Sequence, residues 1–360
     1  MNGPIILHKT REQLADEIFD YREPLPAPLK ISPWVAMSCL QKAIRRGESD
    51  LAQFAAATLL LIAPDRLWRR CGAAAFEEIG VADLQTVSLV TAALAGKRYR
   101  ATIGGDWKVA SFIVGRMTKA SKCRAADDLL LTADSHPLYK GARSDLAAKT
   151  TADLIRIATG AAALPVRALA SWYAVGTHPR QTKNLSARAG EAAALFDALC
   201  EAGFPHTAVE IAREGFRKIG EPLCPFVALL CPLAIKEMSA IQDDKMPPEI
   251  MIGEVPSWAM DTYTREGRQA LQALLLRDCE TARWVRAHVR PAQRVNFLGT
   301  VVFRVEGGLV RQRSRWPTGD ELRRLVDIEC HGSHCPDATE VLQLMRNDID
   351  LLNEERANVG

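Results

Sequence analysis

Apolar residues recur at spacings of three and four positions from Trp34 to about residue 240, which is the pattern of amphipathic helices. Gly47 follows an arginine pair and predicts the end of a helix. Pro64-Asp65 predicts a helix start, and Asp83 predicts an N-terminal cap. We therefore expect a stack of short helices that bury their apolar faces against one another.

The pattern continues beyond residue 160 and then changes. Helices with a start or a stop signal are predicted over 165–172, 186–202, 205–219 and 225–238. Residues 241–257 mix charge, a Pro-Pro pair and glycine without a sustained period, so we interpret them as a boundary. One or two helices are expected within 263–289 and a closing helix over 337–355. Between them, TVVFRV, a Glu-Gly-Gly turn and LVRQRS predict a β-hairpin near 299–314.

The composition is that of an ordinary globular protein. The chain has 360 residues, of which 48% are hydrophobic and 25% are charged, with a formal net charge of +3. Its nine cysteines are scattered, mostly in apolar runs, so we expect free thiols in a reducing, cytoplasmic compartment. Neither a secretory signal pattern nor a run of about 18 apolar residues occurs, so we expect no membrane span.

Four blocks between residues 34 and 134 carry a family resemblance. They are AMSCLQKAIRRGESDLAQ at 36–53, DRLWRRCGAAAFEEIGVAD at 65–83, LQTVSLVTAA at 84–93 and VASFIVGRMTKASKCRAADDLL at 109–130. Their order resembles the C-terminal helical region of the RarA/MgsA family, ATPases related to clamp loaders. In that family the region is an oligomerisation collar that follows the AAA+ module. The resemblance implies a helical module for self-assembly or for docking on a clamp-loader-like ATPase.

The chain lacks the sequence of the ATPase motor itself. No G-x-x-x-x-G-K-[ST] pattern occurs. Without that loop there are no backbone amides to cradle phosphates and no Ser/Thr ligand for magnesium. We therefore expect no ATP hydrolysis and no cofactor, and the sequence favours a non-catalytic protein.

The predicted fold is mainly α. We expect an N-terminal segment with a proline-rich linker at 1–33, a collar-like helical domain at 34–160, a helical region at 161–245 and a basic α domain with one β-hairpin at 246–360. Within the collar-like domain, Glu77 and Glu78 are either an acidic pair for a substrate or a metal, or solvated glutamates at a helix end; the resemblance favours the second interpretation. The basic residues there are interpreted as helix-end charges: Lys42, Arg45, Arg46, Arg69 and Arg70.

The strongest functional signal is a surplus of arginine. Residues 261–316 contain eleven arginines and five acidic residues, a net charge of +6. Arginine binds phosphate through a planar fork, and aromatic rings can stack on unpaired bases. Arg283, Arg286 and Arg290 have the spacing of one helix face. The predicted nucleic-acid-binding residues are Arg265, Arg268, Arg283, Arg286, Arg290, Arg294, Arg311, Arg313 and Trp284. Ion pairs on a solvated face or with a partner protein are the alternatives.

A metal site is a further alternative. Cys330, His331, His334 and Cys335 lie within six residues, although zinc ligands usually come from two separated elements. A metal here requires a further ligand from elsewhere, and a tight loop is the other interpretation.

The leading hypothesis is a non-catalytic accessory factor in DNA replication, recombination or repair, which assembles through its collar-like domain and contacts DNA through its arginines. The second is an adaptor or inhibitor that engages an AAA+ ATPase without binding DNA. The third is a metal-dependent enzyme that uses residues 330–335.

Overall fold

The computed structural model of the chain describes residues 3–330, 333–334 and 338–359, and its fold is mainly helical. Among these residues, no helix has both the length and the apolar character required to cross a bilayer. The helices that precede the predicted boundary are α1 (Gly3–Phe19), α2 (Pro33–Arg46), α3 (Ser49–Ile62), α4 (Pro64–Ala74), α5 (Leu84–Ala93), α6 (Lys97–Thr102), α7 (Asp106–Lys119), α8 (Ala125–Ser135), α9 (Lys140–Ala147), α10 (Thr151–Thr159), α11 (Leu164–Val175), α12 (Ala192–Glu201), α13 (His206–Ile219) and α14 (Leu223–Glu237).

The helices that follow the boundary are α15 (Arg265–Leu274), α16 (Glu280–His288), α17 (Arg294–Val302), α18 (Pro317–Ile328), α19 (Ala338–Asn347) and α20 (Ile349–Val359). The predicted closing helix is thus two helices, α19 and α20. Asp348 lies between them, and its carboxylate accepts a hydrogen bond of 2.8 Å from the backbone amide of Thr281. That bond satisfies a free amide at the start of α16, where the first residues of a helix have no partner within it.

Two helices continue into a single turn of π-helix. Turn π1 (Ala75–Ile79) extends α4, and turn π2 (Phe303–Gly307) extends α17. A π-turn is rare and is found frequently at functional sites. Both turns carry charged residues of the buried cluster described below.

The strands are short and form antiparallel pairs. They are β1 (Ala240–Gln242), β2 (Met251–Ile252), β3 (Val255–Pro256), β4 (Arg313–Arg315), β5 (Glu329–Cys330) and β6 (Ser333–His334). β1 pairs with β4 in the register Ile241 to Ser314, β2 pairs with β3, and β5 pairs with β6. The β1–β4 pair joins the boundary segment to the C-terminal region.

Several predicted helix ends are confirmed. Gly47 ends α2 with a left-handed φ of 71°, which a residue with a Cβ adopts only with strain. Pro64 lies in the first turn of α4, where its missing N–H costs no hydrogen bond. The side chain of Asp83 caps α5 by accepting a 2.9 Å bond from the amide of Thr86.

The predicted β-hairpin near 299–314 is wrong. Residues 299–307 are helical, and only Arg313–Arg315 forms a strand, which pairs with β1. The β-branched residues Val301 and Val302 are buried in the same apolar core. Gly299 also lies against Thr262, whose side chain would come within 2.7 Å of an added Cβ. Tertiary packing therefore outweighs the strand propensity of this segment.

The buried apolar residues form two clusters. The larger one joins α1–α14 and also takes in Trp258 and Trp316 from beyond the boundary segment. The smaller one is built from α15, α16, α17, π2, α19 and α20. The C-terminal region therefore contributes to both cores, and the two cores meet around the charged residues of π1 and π2.

A substitution at Gly215 tests how closely α13 packs against π1. An added Cβ would lie 2.2 Å from the ring of Phe76, which is fully buried. We expect Gly215→Ala to lower the free energy of unfolding by about 1–3 kcal/mol through overpacking. Gly141→Ala, at an exposed position of α9 where a Cβ meets nothing within 4 Å, should leave stability unchanged or raise it by up to about 1 kcal/mol. Urea unfolding of both variants measures the difference; equal stabilities would contradict the packing of α13 on π1.

Candidate functional site

The structure divides the nine predicted nucleic-acid-binding residues into an exposed set and an inward-facing set. The exposed residues are Arg265, Arg268, Arg283, Arg290 and Arg311. The inward-facing residues are Trp284, Arg286, Arg294 and Arg313. The surplus of arginine in this region is therefore only partly a surface property.

Trp284 is placed as a core residue. Its side chain is 9% exposed, and its ring stacks on His288 at 4.3 Å and on Phe297 at 5.9 Å between centroids. Trp316 is also buried. Because their rings are covered by the protein, these tryptophans offer no free surface on which a base can stack.

Two of the inward-facing arginines bind helix ends. Arg286 donates to the carbonyl oxygens of Leu275 and Arg277, at 2.6 and 3.0 Å. Arg294 donates to the carbonyl oxygens of Val289 and Arg286, at 2.9 and 2.7 Å. These carbonyls belong to the ends of α15 and α16, where no partner within the helix exists. Arg290 lies beyond the end of α16, so the predicted helical stripe of three arginines does not form.

The exposed arginines differ in their partners. Arg283 pairs with Asp278 at 2.9 Å, and Arg268 donates to the side-chain oxygen of Asn296 at 3.3 Å. Within the described part of the chain, no carboxylate pairs with Arg265, Arg268, Arg290 or Arg311. The bond to Asn296 joins α15 to the first turn of α17, which begins four residues after Arg290. Arg268 therefore lies at the contact between these two helices, while Arg265 is the first residue of α15 and Arg290 precedes α17 in the chain.

Five residues form a buried ionic centre that the sequence analysis missed: Arg45, Glu77, Glu78, Arg124 and Asp127. Glu78 is fully buried, and each of its two carboxylate oxygens accepts one hydrogen bond from Arg45, at 2.5 and 2.8 Å. Arg124 donates to the same two oxygens, each at 2.6 Å. Arg124 also reaches Glu77 at 3.2 Å and bonds to Asp127. Arg45 of α2 and Arg124, the residue before α8, thus meet at the carboxylate of Glu78 in π1.

The two glutamates differ in their electrostatics. Burial raises the pKa of Glu78, but the charges and hydrogen bonds of Arg124 and Arg45 outweigh it and hold that pKa well below its ordinary value. Burial, together with the neighbouring charges of Glu78 and Asp127, raises the pKa of Glu77 to about 7. Glu78 is therefore a permanent anion, whereas Glu77 takes up a proton near neutral pH.

Turn π2 covers the ionic centre from the C-terminal side. The ring of Phe303 lies 5.4 Å from the guanidinium carbon of each of three arginines, Arg45, Arg124 and Arg304. Such cation–π contacts are electrostatically favourable. Arg45 also donates to the carbonyl oxygen of Gly307. Both π-turns therefore bind the same arginine, π1 through Glu78 and π2 through Phe303 and Gly307.

A second set of buried ion pairs continues this contact. Glu306 and Arg356, each 1% exposed, form a two-bond pair at 3.0 and 2.7 Å. Lys42 of α2 pairs with Asp261 at 2.7 Å. Burial lowers the pKa of Lys42, which the attraction of Asp261 opposes. The Lys42–Asp261 pair and a 3.1 Å bond from Arg46 to the carbonyl oxygen of Glu306 connect α2 to the C-terminal region, so charged contacts cross the boundary between the two cores.

The expectation that these charges are solvated is wrong for the residues of the ionic centre and of α2, although Arg45 and Arg46 do stand in the last turn of α2. Glu78 is fully buried and the side chain of Glu77 is only 17% exposed, while Lys42, Arg45 and Arg46 are buried. The sequence did contain one signal, because the two glutamates stand inside the apolar run AAAFEEIG. A helix of that pattern has no fully polar face on which both carboxylates can be solvated.

A small polar cavity adjoins the ionic centre. Its lining residues are Arg124, Asp128, Arg304, Gly308, Arg313 and Arg323. Arg313 and Arg323 both bind Asp244, at 2.7 and 3.2 Å. Burial raises the pKa of Asp128 to about 6 in spite of the nearby Arg304. Because internal carboxylates already bind these arginines, the cavity is the outer edge of the ion network.

The structure does not test the predicted metal site, but it brings metal-capable side chains together at a second place. His331 and Cys335 of the predicted group lie outside the described residues, so the structure gives no geometry for that prediction. Cys200, His206 and Glu210 instead lie close together, with ligand atoms within 4.8 Å of one another. The group is not apparent from the sequence, because Cys200 belongs to a different helix from the other two.

Comparison of the chain with protein-family models, with curated proteins and with solved structures finds no match in any of the three. The resemblance to the RarA/MgsA collar therefore stays a prediction, and the residues themselves carry the functional argument.

Replacement of each glutamate tests the ionic centre. Glu78→Gln removes the fully buried carboxylate that Arg45 and Arg124 share, leaves Glu77 and Asp127 as their counter-charges, and should lower the free energy of unfolding by about 3–5 kcal/mol. Glu77→Gln should cost less, because burial and the neighbouring charges of Glu78 and Asp127 already disfavour the charged form of Glu77. Since the pKa of Glu77 is raised from 4.5 to about 7, its stabilising contribution is present at low pH and is lost as the pH rises through that interval.

Urea unfolding at pH 5 and pH 8 measures both effects. Glu77→Gln should reduce the fall in stability between the two pH values, by up to about 1.4 kcal/mol for each unit of pKa difference. Asp128 and Glu48 have raised pKa values too, so part of the fall remains. A Glu78→Gln variant as stable as the parent chain would refute the assigned role of the carboxylate.

Proposed function

We propose that the protein is a non-catalytic accessory factor in DNA replication, recombination or repair, and that it binds nucleic acid through phosphate contacts of exposed arginines. The observation that carries the proposal is the group Arg265, Arg268 and Arg290, which is exposed and free of carboxylate partners among the described residues. An exposed guanidinium without an internal counter-charge retains its full capacity for a two-bond contact with phosphate.

The mode of binding follows from what the arginines can reach. Phosphate contacts position a protein on nucleic acid without reading its sequence, whereas base contacts specify. Trp284 is enclosed by the core and supplies no stacking surface. The proposal is therefore binding to the nucleic-acid backbone, with little base preference and with strong dependence on salt.

The absence of a phosphate-binding loop from the sequence supports a non-catalytic role. The collar-like region supports a role beside an ATPase, because its order of blocks resembles a region that assembles clamp-loader-related enzymes. On this proposal the larger core provides assembly, and the smaller core presents the arginines to the nucleic acid.

A triple substitution tests the nucleic-acid interface. Arg265→Gln, Arg268→Gln and Arg290→Gln together should weaken binding to a duplex and to a single strand, measured by gel shift over a salt series. Each lost phosphate contact lowers the slope of log affinity against log salt by about 0.7–0.9, so the slope should fall by about 2–3.

A matched variant controls for net charge. Arg156, Arg217 and Arg324 are exposed, and each pairs with an acidic residue of its own helix. Replacing these three with glutamine changes the formal net charge from +3 to 0, as in the test variant. Binding that falls equally in both triple variants, or that is absent at low salt in the parent chain, would remove nucleic acid from the proposal.

A second candidate function is that of an adaptor that engages an AAA+ ATPase without binding DNA. An exposed apolar patch favours it: Trp34, Leu61 and Ile62 are 56%, 70% and 47% exposed. Helices α2 and α3 are joined by a two-residue turn, so the start of α2 and the end of α3 lie at the same end of the pair. Exposed apolar patches of this kind mark sites of protein interaction.

Charge placed in this patch tests the adaptor. Leu61→Glu with Ile62→Glu should abolish a complex with a purified RarA/MgsA-type ATPase, because burying two carboxylates at an interface is unfavourable. Leu138→Glu with Ile235→Glu is the matched control, since both residues are exposed and lie elsewhere in the chain. Light scattering of the mixtures gives the mass of the complex. No complex with the parent chain, or equal complexes with both double variants, would rule against the adaptor.

A further inference from the structure

The helical hairpin of α12 and α13 has a rigid turn at its tip. The chain reverses through Gly203, whose φ of 82° is left-handed and whose surroundings are open. The amide of Gly203 donates to the carbonyl of Cys200 at 3.0 Å, and the amide of Phe204 donates to that of Leu199 at 3.1 Å. These bonds close the end of α12, so the residues on either side of the turn have defined positions.

Three metal-ligating side chains lie beside this turn. Cys200 is near the end of α12, and His206 begins α13, with Glu210 one turn further along the same face. Their ligand atoms lie within 4.8 Å of one another; His206 is exposed, and the other two are partly buried. Ligands of a tetrahedral zinc ion lie about 3–4 Å apart, given bond lengths of about 2.0–2.3 Å. Small side-chain rotations therefore bring the three atoms to bonding distance.

The scaffold behind these side chains is well packed. Phe196 of α12 and Phe216 of α13 contact each other, with ring centroids 6.3 Å apart. Leu199 and Ala212 are fully buried between the helices and their neighbours. Ligands carried by packed helices hold their geometry better than ligands carried by loops.

A positively charged side chain, that of Arg213, already contacts one member of the group, Glu210. Arg213 lies 3.2 Å from Glu210 and 2.8 Å from Asp197, and its guanidinium also faces the ring of Phe196 at 5.7 Å. Burial and the charge of Glu210 raise the pKa of the Cys200 thiol, while Arg213 lowers it. The electrostatic surroundings thus favour positive charge at this position.

We propose that Cys200, His206 and Glu210 form a binding site for one zinc-type divalent cation, with a water molecule in the fourth position. A thiolate, an imidazole and a carboxylate suit zinc or cobalt, whereas magnesium prefers oxygen ligands alone. The exposure of His206 leaves one side of the site open to solvent.

The charges balance when the ion binds. The Cys200 thiol releases its proton to solvent, and the thiolate and the Glu210 carboxylate together neutralise the two positive charges of the ion. Arg213 releases Glu210 and keeps its bond to Asp197, which remains available on the same helix as Cys200. No further counter-charge is required.

Metal titration of the full-length chain tests the proposal. Zn²⁺ binding is measured by competition with a chromogenic chelator, and Co²⁺ reports sulfur ligation through its thiolate-to-metal absorption. We expect one equivalent bound, an affinity at least tenfold lower in Cys200→Ser and in His206→Ala, and loss of the absorption band in Cys200→Ser. Arg213→Gln should raise the affinity, because it removes the competing cation.

A variant with Cys330→Ser and Cys335→Ser provides the matched control, since it removes the other cluster of metal-capable residues. It should still bind one equivalent with the same cobalt spectrum. Circular dichroism verifies the fold of each variant, and the partly exposed positions of Cys200 and His206 make unfolding by these substitutions unexpected. Loss of binding in the Cys330/Cys335 variant together with full binding in Cys200→Ser would overturn the proposal, as would a parent chain that binds no ion.

Discussion

The fully buried carboxylate of Glu78 is the contact on which the rest of the structure depends. It stands on π1 and is shared by Arg45 of α2 and Arg124 beside α8. A buried charge without its partners is strongly unfavourable, so these three elements are stable only when they come together. A buried ion pair adds little net stability over an apolar contact, whereas a packing of the helices that separates Glu78 from its arginines leaves buried charges unpaired and is disfavoured.

The two π-turns explain why the C-terminal region docks where it does. Turn π2 places Phe303 against the arginines of the ionic centre and the carbonyl of Gly307 against Arg45. The pair of Glu306 with Arg356 then ties the end of the chain to the same place. The smaller core is held to the larger one by charge as well as by apolar contacts, and charged contacts are more directional.

Because of this arrangement, the high arginine content of the C-terminal region does not correspond to an equally basic surface. Much of the arginine of the C-terminal region satisfies internal carboxylates and helix-end carbonyls, as Arg313 does with Asp244 and Arg286 does with the end of α15. What is left for a partner is a smaller exposed group around Arg268. Total charge along a sequence is therefore a poor measure of a binding surface, because it counts both kinds of arginine equally.

The sequence by itself determined the helical class, the helix ends at Gly47 and Asp83, and the regions in which arginine is concentrated, because these depend on local periodicity and on capping chemistry. Only the tertiary structure decided that residues 299–307 are helical, that Glu78 is buried, and that Cys200 meets His206 across a turn. Propensity and spacing describe neighbours along the chain. Burial and charge pairing depend on residues far apart in sequence, and packing brings those residues together only when the whole chain has folded.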